Sequence, residues 1–153
     1  MKALAGPPLL IHALGDTLAR RGRGTVSQSL GHHVLIIEDE ALISIEIEAL
    51  LSDQGFESFD WAVSPHEALN CAKGHRPDLI TADFRILDGT GLEAVQSIVA
   101  ELGAIPVVYV TANADMLSGR SGLTVVAKPI MPSELLAACR SACSQPMLRS
   151  RPI

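Results

Sequence analysis

The sequence predicts a doubly wound α/β domain built on a five-stranded parallel sheet. Three observations carry that prediction. Five short apolar runs recur along residues 34–127. Segments with helical spacing, closed by Gly or Pro, separate most of them. The resulting order, βαβαβαβαβα, requires parallel strands with right-handed crossovers, hence helices on both faces.

Each element has its own signal. Val34–Ile37 is the first strand. A helix follows over Ala41–Gln54, with Leu42, Ile45, Ala49 and Leu50 on its apolar face, and Gly55 ends it. Phe56–Val63 is the second strand, with Phe59 and Trp61 on one side. Ser64 caps a helix over Pro65–Lys73, where Pro suits the first position and Gly74 marks the stop. The third strand is Asp78–Ala82, after Pro77. Asp88-Gly89-Thr90-Gly91 is a turn, and Thr90 or Gly91 opens a helix reaching Leu102 before Gly103. Pro106–Val110 is the fourth strand, and a short, poorly patterned segment spans Asn113–Gly122. Leu123–Ala127 is the fifth strand, and Ser133 is expected to cap a last helix over Glu134–Ser144, stopped by Pro146.

Residues 33–145 therefore form one domain, with an N-terminal extension over 1–32 and a tail over 146–153. The extension is rich in Gly, Pro, Arg and Ser; Leu10–Ala19 has the pattern of a short helix, and Gly22–Ser29 that of a linker. Its apolar patch, Pro8–Ile11, is too short to span a membrane and its positive charges follow it, which argues against a signal peptide and for the cytoplasm.

The 48% apolar fraction is ample for a core, but with only five aromatic residues that core must be built from Val, Ile, Leu and Ala. The formal charge of −5 argues against general nucleic-acid binding. Lys2, Arg20, Arg21 and Arg23 against Asp16 give residues 1–33 a net +3, which leaves −8 on residues 34–153. Three cysteines (Cys71, Cys139, Cys143) with no CxxC fit a reducing compartment and no disulfide framework. His32-His33 reads as an edge feature of the first strand, since two adjacent histidines are a poor metal site by themselves.

The chemistry concentrates at strand ends. Glu38-Asp39 follow the first apolar run, Asp83 the third, Thr111 the fourth and Lys128 the fifth. In a parallel sheet all strand C-termini share one edge, where sites form. In the doubly wound, flavodoxin-like strand order 2-1-3-4-5, the strands carrying Glu38-Asp39 and Asp83 lie side by side at the switch point. Three crowded carboxylates need a cation, and hard oxygen donors suit Mg²⁺. Asp39 and Asp83 are the expected direct ligands, Glu38 acts through a water, and the backbone carbonyl of Arg85 can complete the sphere. An Asp beside Mg²⁺ can attack phosphorus to give an acyl phosphate. Lys128 and Thr111 are placed to meet two of the phosphoryl oxygens. A cis peptide before Pro129 would aim the lysine.

In order and separation, Val34-Leu-Ile-Ile-Glu38-Asp39-Glu40, Asp83, Asp88-Gly89, Val110-Thr111-Ala112 and Lys128-Pro129 resemble the receiver domain of two-component response regulators. The resemblance implies that Asp83 accepts a phosphoryl group from a histidine kinase or histidine phosphotransferase. It also implies Mg²⁺ dependence, and a shift of the face made by the fourth helix, fifth strand and last helix, a face that can also serve a homodimer.

Three departures stand out. Thr111 to Lys128 is only 17 positions, so the fourth helix must be shortened. Val125 stands where receivers carry an aromatic switch residue, and Tyr109 does not take that place. Arg85 follows Asp83 by two positions, where it can reach the phosphoryl group, pair with Glu38 or shield the site from water. The first and third, with Asp83-Phe-Arg85 and Asp88-Gly-Thr-Gly91, are similar to an atypical group of alphaproteobacterial single-domain receivers linked to general stress signalling. Gln145–Ile153 is too short for a DNA-binding helix-turn-helix, so the chain is expected to act through partners or by trading phosphoryl groups. A stand-alone regulator, a phosphate sink or shuttle, and an interaction module independent of phosphorylation all fit. A phosphohydrolase would need a second acid for release, a role for which Glu38 and Glu40 are badly placed.

Overall fold

The computed structural model describes residues 32–117 and 119–145. The expected N-terminal helix and linker, the stop at Pro146 and the tail lie outside the described residues. Five parallel strands form the sheet: β1 (His33–Ile37), β2 (Ser58–Ala62), β3 (Leu79–Ala82), β4 (Val107–Thr111) and β5 (Thr124–Ala127). Their order is β2-β1-β3-β4-β5, as expected. The helices are α1 (Ala41–Ser52), α2 (Pro65–Gly74), α3 (Gly91–Leu102) and α4 (Pro132–Ser144).

The central strands β1, β3 and β4 are largely apolar on both sides because both faces are covered, whereas the edge strand β2 carries Ser58 and Asp60. On one face Leu35, Ile37, Ile80 and Tyr109 pack with Ala68 and Ala72 of α2 and Ala94, Val95 and Ile98 of α3. On the other, Val34, Ile36, Val108 and Val110 pack with Ile47 and Leu51 of α1 and Leu135 and Cys139 of α4. Leu135, Leu136, Ala138 and Cys139 of α4 thus belong to the core. Ser64 and Thr90 accept hydrogen bonds from the Glu67 and Glu93 amides, capping α2 and α3.

Two local expectations are corrected. The buried face of α1 is Ser44, Ile47 and Leu51, whereas Leu42 and Ile45 are exposed. This helix is apolar nearly all round, so periodicity could not choose its inner face. Ser133 is not a cap: Met131 holds the N-cap position with no side-chain bond, and Pro132 opens α4. Pro sets the helix start because its missing N–H is not needed there.

Among the described residues, the fourth crossover holds a 3₁₀ turn, Ala114–Met116, in place of a helix. Leu117 is buried under it. A groove of about 340 Å³ is lined by Val95, Val107, Tyr109 and Leu123 among others. Tyr109 is paired across the sheet with Val125. No helix among the described residues is long and apolar enough to cross a membrane.

Candidate functional site

At the C-terminal edge of the sheet, the chain turns out of β1 and β3 with acids at the turn. Glu38 and Asp83 are buried, whereas Asp39 is exposed. The peptide ladder continues past both strands, Glu38 N–H donating to Ala62 O and Asp83 N–H to Ile37 O at 2.9 Å each. One carboxylate oxygen from each of Glu38, Asp39 and Asp83 lies within 4.8 Å of the others.

Lys128 reaches in from the end of β5, just before a cis Lys128-Pro129 peptide. Its ammonium donates to Glu38 Oε2 at 2.7 Å and to Asp83 Oδ2 at 2.8 Å. The second Glu38 oxygen accepts from the Glu40 amide at 3.0 Å. Burial pushes the Glu38 carboxyl up to about 6, against the pull of Lys128 and the Glu40 amide, while the Asp83 charge adds to the rise. Burial opposes the Lys128 charge, yet its hydrogen bonds to Asp83 and Glu38 win and hold its pKa above the ordinary lysine value.

The second oxygen of Asp83, Oδ1, is buried with no hydrogen-bond partner. A buried, unsatisfied carboxylate oxygen is costly and calls for a cation or a covalent partner. This orphaned oxygen, on an acid clustered with the Glu38 and Asp39 carboxylates, fits a Mg²⁺ site. Thr111 is buried at the end of β4, and its Oγ1 accepts from the Asn113 amide at 3.1 Å. With the lone pair so engaged, its hydroxyl proton is left to donate.

Arg85 stands in a short hairpin, Arg85–Ile86 against Gly89–Thr90, with Asp88 at φ 60° in its turn. Its side chain is exposed, and Glu38, one of its expected partners, is held by Lys128 instead. The sequence expectation had placed Lys128 on the phosphoryl group and Glu38 on the metal, so their direct ion pair is new. Gly91 was also missed. A Cβ there would lie 1.9 Å from the Asp83 carbonyl oxygen, so α3 begins against the backbone of Asp83 only because Gly91 lacks one. The signal lies in Asp88-Gly-Thr-Gly91, but reading it as a turn, a helix start and a family-like pattern does not say that Gly91 packs on the Asp83 backbone.

The model of the response regulator receiver domain matches residues 34–140. The chain belongs to that family. It is 33% identical over 132 residues to the phyllosphere-induced regulator PhyR of Methylorubrum extorquens, covering 83% of this chain and 49% of that protein. The chain therefore spans about half the length of this curated relative. Among solved structures, the receiver domain of PhyR from Erythrobacter litoralis aligns with a TM-score of 0.66 at 28% identity, covering 80% of this chain and 95% of that one. The receiver domain of the sensor histidine kinase PA1611 from Pseudomonas aeruginosa, which has magnesium coordinated in its active-site cleft, aligns with a TM-score of 0.65 at 27% identity. That match covers 75% of this chain and 99% of the other. The chain is thus a receiver-domain protein of two-component signalling, and PhyR proteins are among those it is similar to.

Proposed function

We propose that this receiver takes a phosphoryl group on Asp83 from a histidine kinase or histidine phosphotransferase and signals through protein–protein contacts. The observation that carries the reading is the split environment of Asp83: Oδ2 is held by Lys128 and Oδ1 has no partner. In the transfer, Oδ1 bonds to phosphorus as the donor's P–N bond breaks, and the electron pair returns to the imidazole nitrogen. Lys128 follows the charge onto the phosphoryl oxygens, and the Thr111 hydroxyl donates to another. Mg²⁺, held by Asp39, Asp83, the Arg85 carbonyl and Glu38 through a water, would supply neutralisation of the remaining phosphoryl charge. Leu42 and Ile45 are exposed on the first turns of α1, next to the acids, and offer an apolar landing surface for a protein donor.

In this reading the receiver occupies residues 33–145 and works in the cytoplasm, without nucleic acid or membrane. It acts as a phosphoryl acceptor rather than a turnover enzyme. The face formed by the 113–122 segment, β5 and α4 carries the output, including any homodimer. The test is intact-mass analysis after incubation with Mg²⁺ and acetyl phosphate or a phosphorylated histidine protein. A gain of one phosphoryl group, absent in Asp83→Asn, supports the proposal; no gain in the wild type sinks it. A lifetime of minutes or less would make the protein a phosphate sink or shuttle, and one of hours a switch.

A second reading is favoured by the 3₁₀ turn that replaces the fourth helix and by Val125 at the switch position. It is a receiver-fold interaction module whose contacts ignore phosphorylation. Partner binding unchanged in Asp83→Asn would select it.

A further inference from the structure

The opposite, N-terminal edge of the sheet holds a second cluster. His33 opens β1 and is buried at 2% exposure. In register with it on β2 is Ser58, and two residues on, on the same side of the strand, is Asp60. His33 Nε2 lies 3.0 Å from Asp60 Oδ2, and His33 Nδ1 lies 2.7 Å from Ser58 Oγ. His75, just past α2, stacks its ring on His33 with centroids 3.6 Å apart and planes inclined by 13°. One ligand atom each from His33, Asp60 and His75 falls within a 4.8 Å set.

We propose that His33, Asp60 and His75 form a site for a divalent transition-metal ion of the zinc class, separate from the acid pocket. Two imidazoles and one carboxylate are a donor set for zinc or its neighbours, whereas Mg²⁺ prefers an all-oxygen shell. With metal–nitrogen and metal–oxygen bonds of about 2.0–2.1 Å, two ligands of a tetrahedral ion sit roughly 3.3 Å apart. The 3.0 Å between His33 Nε2 and Asp60 Oδ2 is already close to that edge.

The surroundings suit a ligand histidine. Metal-bound imidazoles usually donate their other ring N–H to an oxygen, which fixes the tautomer. Ser58 Oγ is placed to accept from His33 Nδ1. A His33 that binds metal through Nε2 carries its ring hydrogen on Nδ1, where the Ser58 hydroxyl oxygen can accept it. His75 is exposed and Asp60 half-exposed, so His75 is free to turn its ring edge toward the ion and water can fill the open position. The competing account is a His33–Asp60 ion pair with a ring stacked on it. Cys71, one helical turn before His75, is the soft donor that could displace this assignment; its sulfur rests 3.9 Å from the Trp61 carbonyl.

The test is a calorimetric titration of untagged protein with Zn²⁺ in excess Mg²⁺, which keeps the acid pocket filled, followed by visible spectroscopy with Co²⁺. One zinc per chain is expected, retained in Asp39→Asn. Affinity should drop at least about tenfold in His75→Ala and Asp60→Asn, and by about tenfold in Ser58→Ala through its effect on His33. Cobalt should show a ligand-field spectrum with no thiolate charge-transfer band. Absence of stoichiometric uptake at micromolar zinc overturns the proposal. So does uptake unchanged in both His75→Ala and Asp60→Asn, or a thiolate band that vanishes in Cys71→Ser.

Discussion

The two ends of β1 are built in opposite ways. At its C-terminal end, Glu38 is buried with an internal cation, Lys128, and beside an acid whose second oxygen has no partner. At its N-terminal end, His33 is buried with both ring nitrogens met by oxygens of β2. The first end holds charge that its own hydrogen bonds leave unfinished, which is the condition for binding a cation or accepting phosphorus. The second has its hydrogen bonds satisfied within the chain and gains a metal only by exchanging one partner. The same strand thus carries one site that needs an occupant and one that can take it or leave it.

The largest effect should come from removing the internal cation. Lys128→Met leaves Glu38 and Asp83 buried without their shared ammonium, and breaking a buried pair in this way costs about 3–5 kcal/mol. Urea unfolding in EDTA should show that loss, and Mg²⁺ should restore a good part of it. A loss below about 1 kcal/mol would mean that the acids simply take up protons or water, and that Lys128 is not what holds them.

Next comes the backbone beneath the acids. Gly91→Ala drives a methyl group into the Asp83 carbonyl, and overpacking of this kind costs about 1–3 kcal/mol, here at the upper end. Mg²⁺ affinity should fall with it, because Asp83 moves, while zinc binding at the other end stays as it was. Equal damage at both ends would show that Gly91 matters to the whole fold rather than to the pocket.

These contrasts also show where the sequence was legible. Strand-end acids, Thr111 and Lys128 could be read because a parallel sheet gathers its C-termini on one edge, so four one-dimensional positions imply one place. The alternation implied a doubly wound parallel sheet without choosing its strand order, and the shortened fourth crossover was legible only by setting the 17-residue spacing against the receiver resemblance. The inner face of α1 was not legible, since Leu42 and Ile45 are as apolar as Ile47 and Leu51 and only packing on the sheet distinguishes them. Nor was the histidine cluster. Asp60 and His75 lie 27 and 42 positions beyond His33, and only the register of β1 on β2 brings Ser58 and Asp60 to it. The Glu38–Lys128 pair was missed because adjacency on an edge does not say which charges meet.

The raised Glu38 carboxyl gives a pH test. Its folded pKa of about 6 exceeds the ordinary 4.5, so the folded protein holds that proton more tightly than the unfolded chain. Stability of the metal-free protein should therefore fall as pH rises from 4.5 to 6 and level off above, by up to about 2 kcal/mol from this group. The tilt should vanish in Glu38→Gln. If both proteins give the same pH profile in EDTA, burial of Glu38 is relieved by water and its charge is not a cost.

The smallest predicted effect decides whether β1 joins its two ends or only supports them. Ser58→Ala removes one hydrogen-bond partner from buried His33 and should cost about 1 kcal/mol. His33 and Glu38 are five positions apart along extended chain, about 16 Å at roughly 3.3 Å per residue. At that separation independent sites add within about 0.3–0.5 kcal/mol. The double variant Ser58→Ala, Glu38→Gln should therefore lose the sum of the single losses, and Ser58→Ala alone should leave Mg²⁺ affinity unchanged. A coupling beyond about 1 kcal/mol would require a shift carried along β1 itself, because no side chain spans that distance. In that event metal capture at the histidine end would alter the acid pocket, and the optional site would act on the required one.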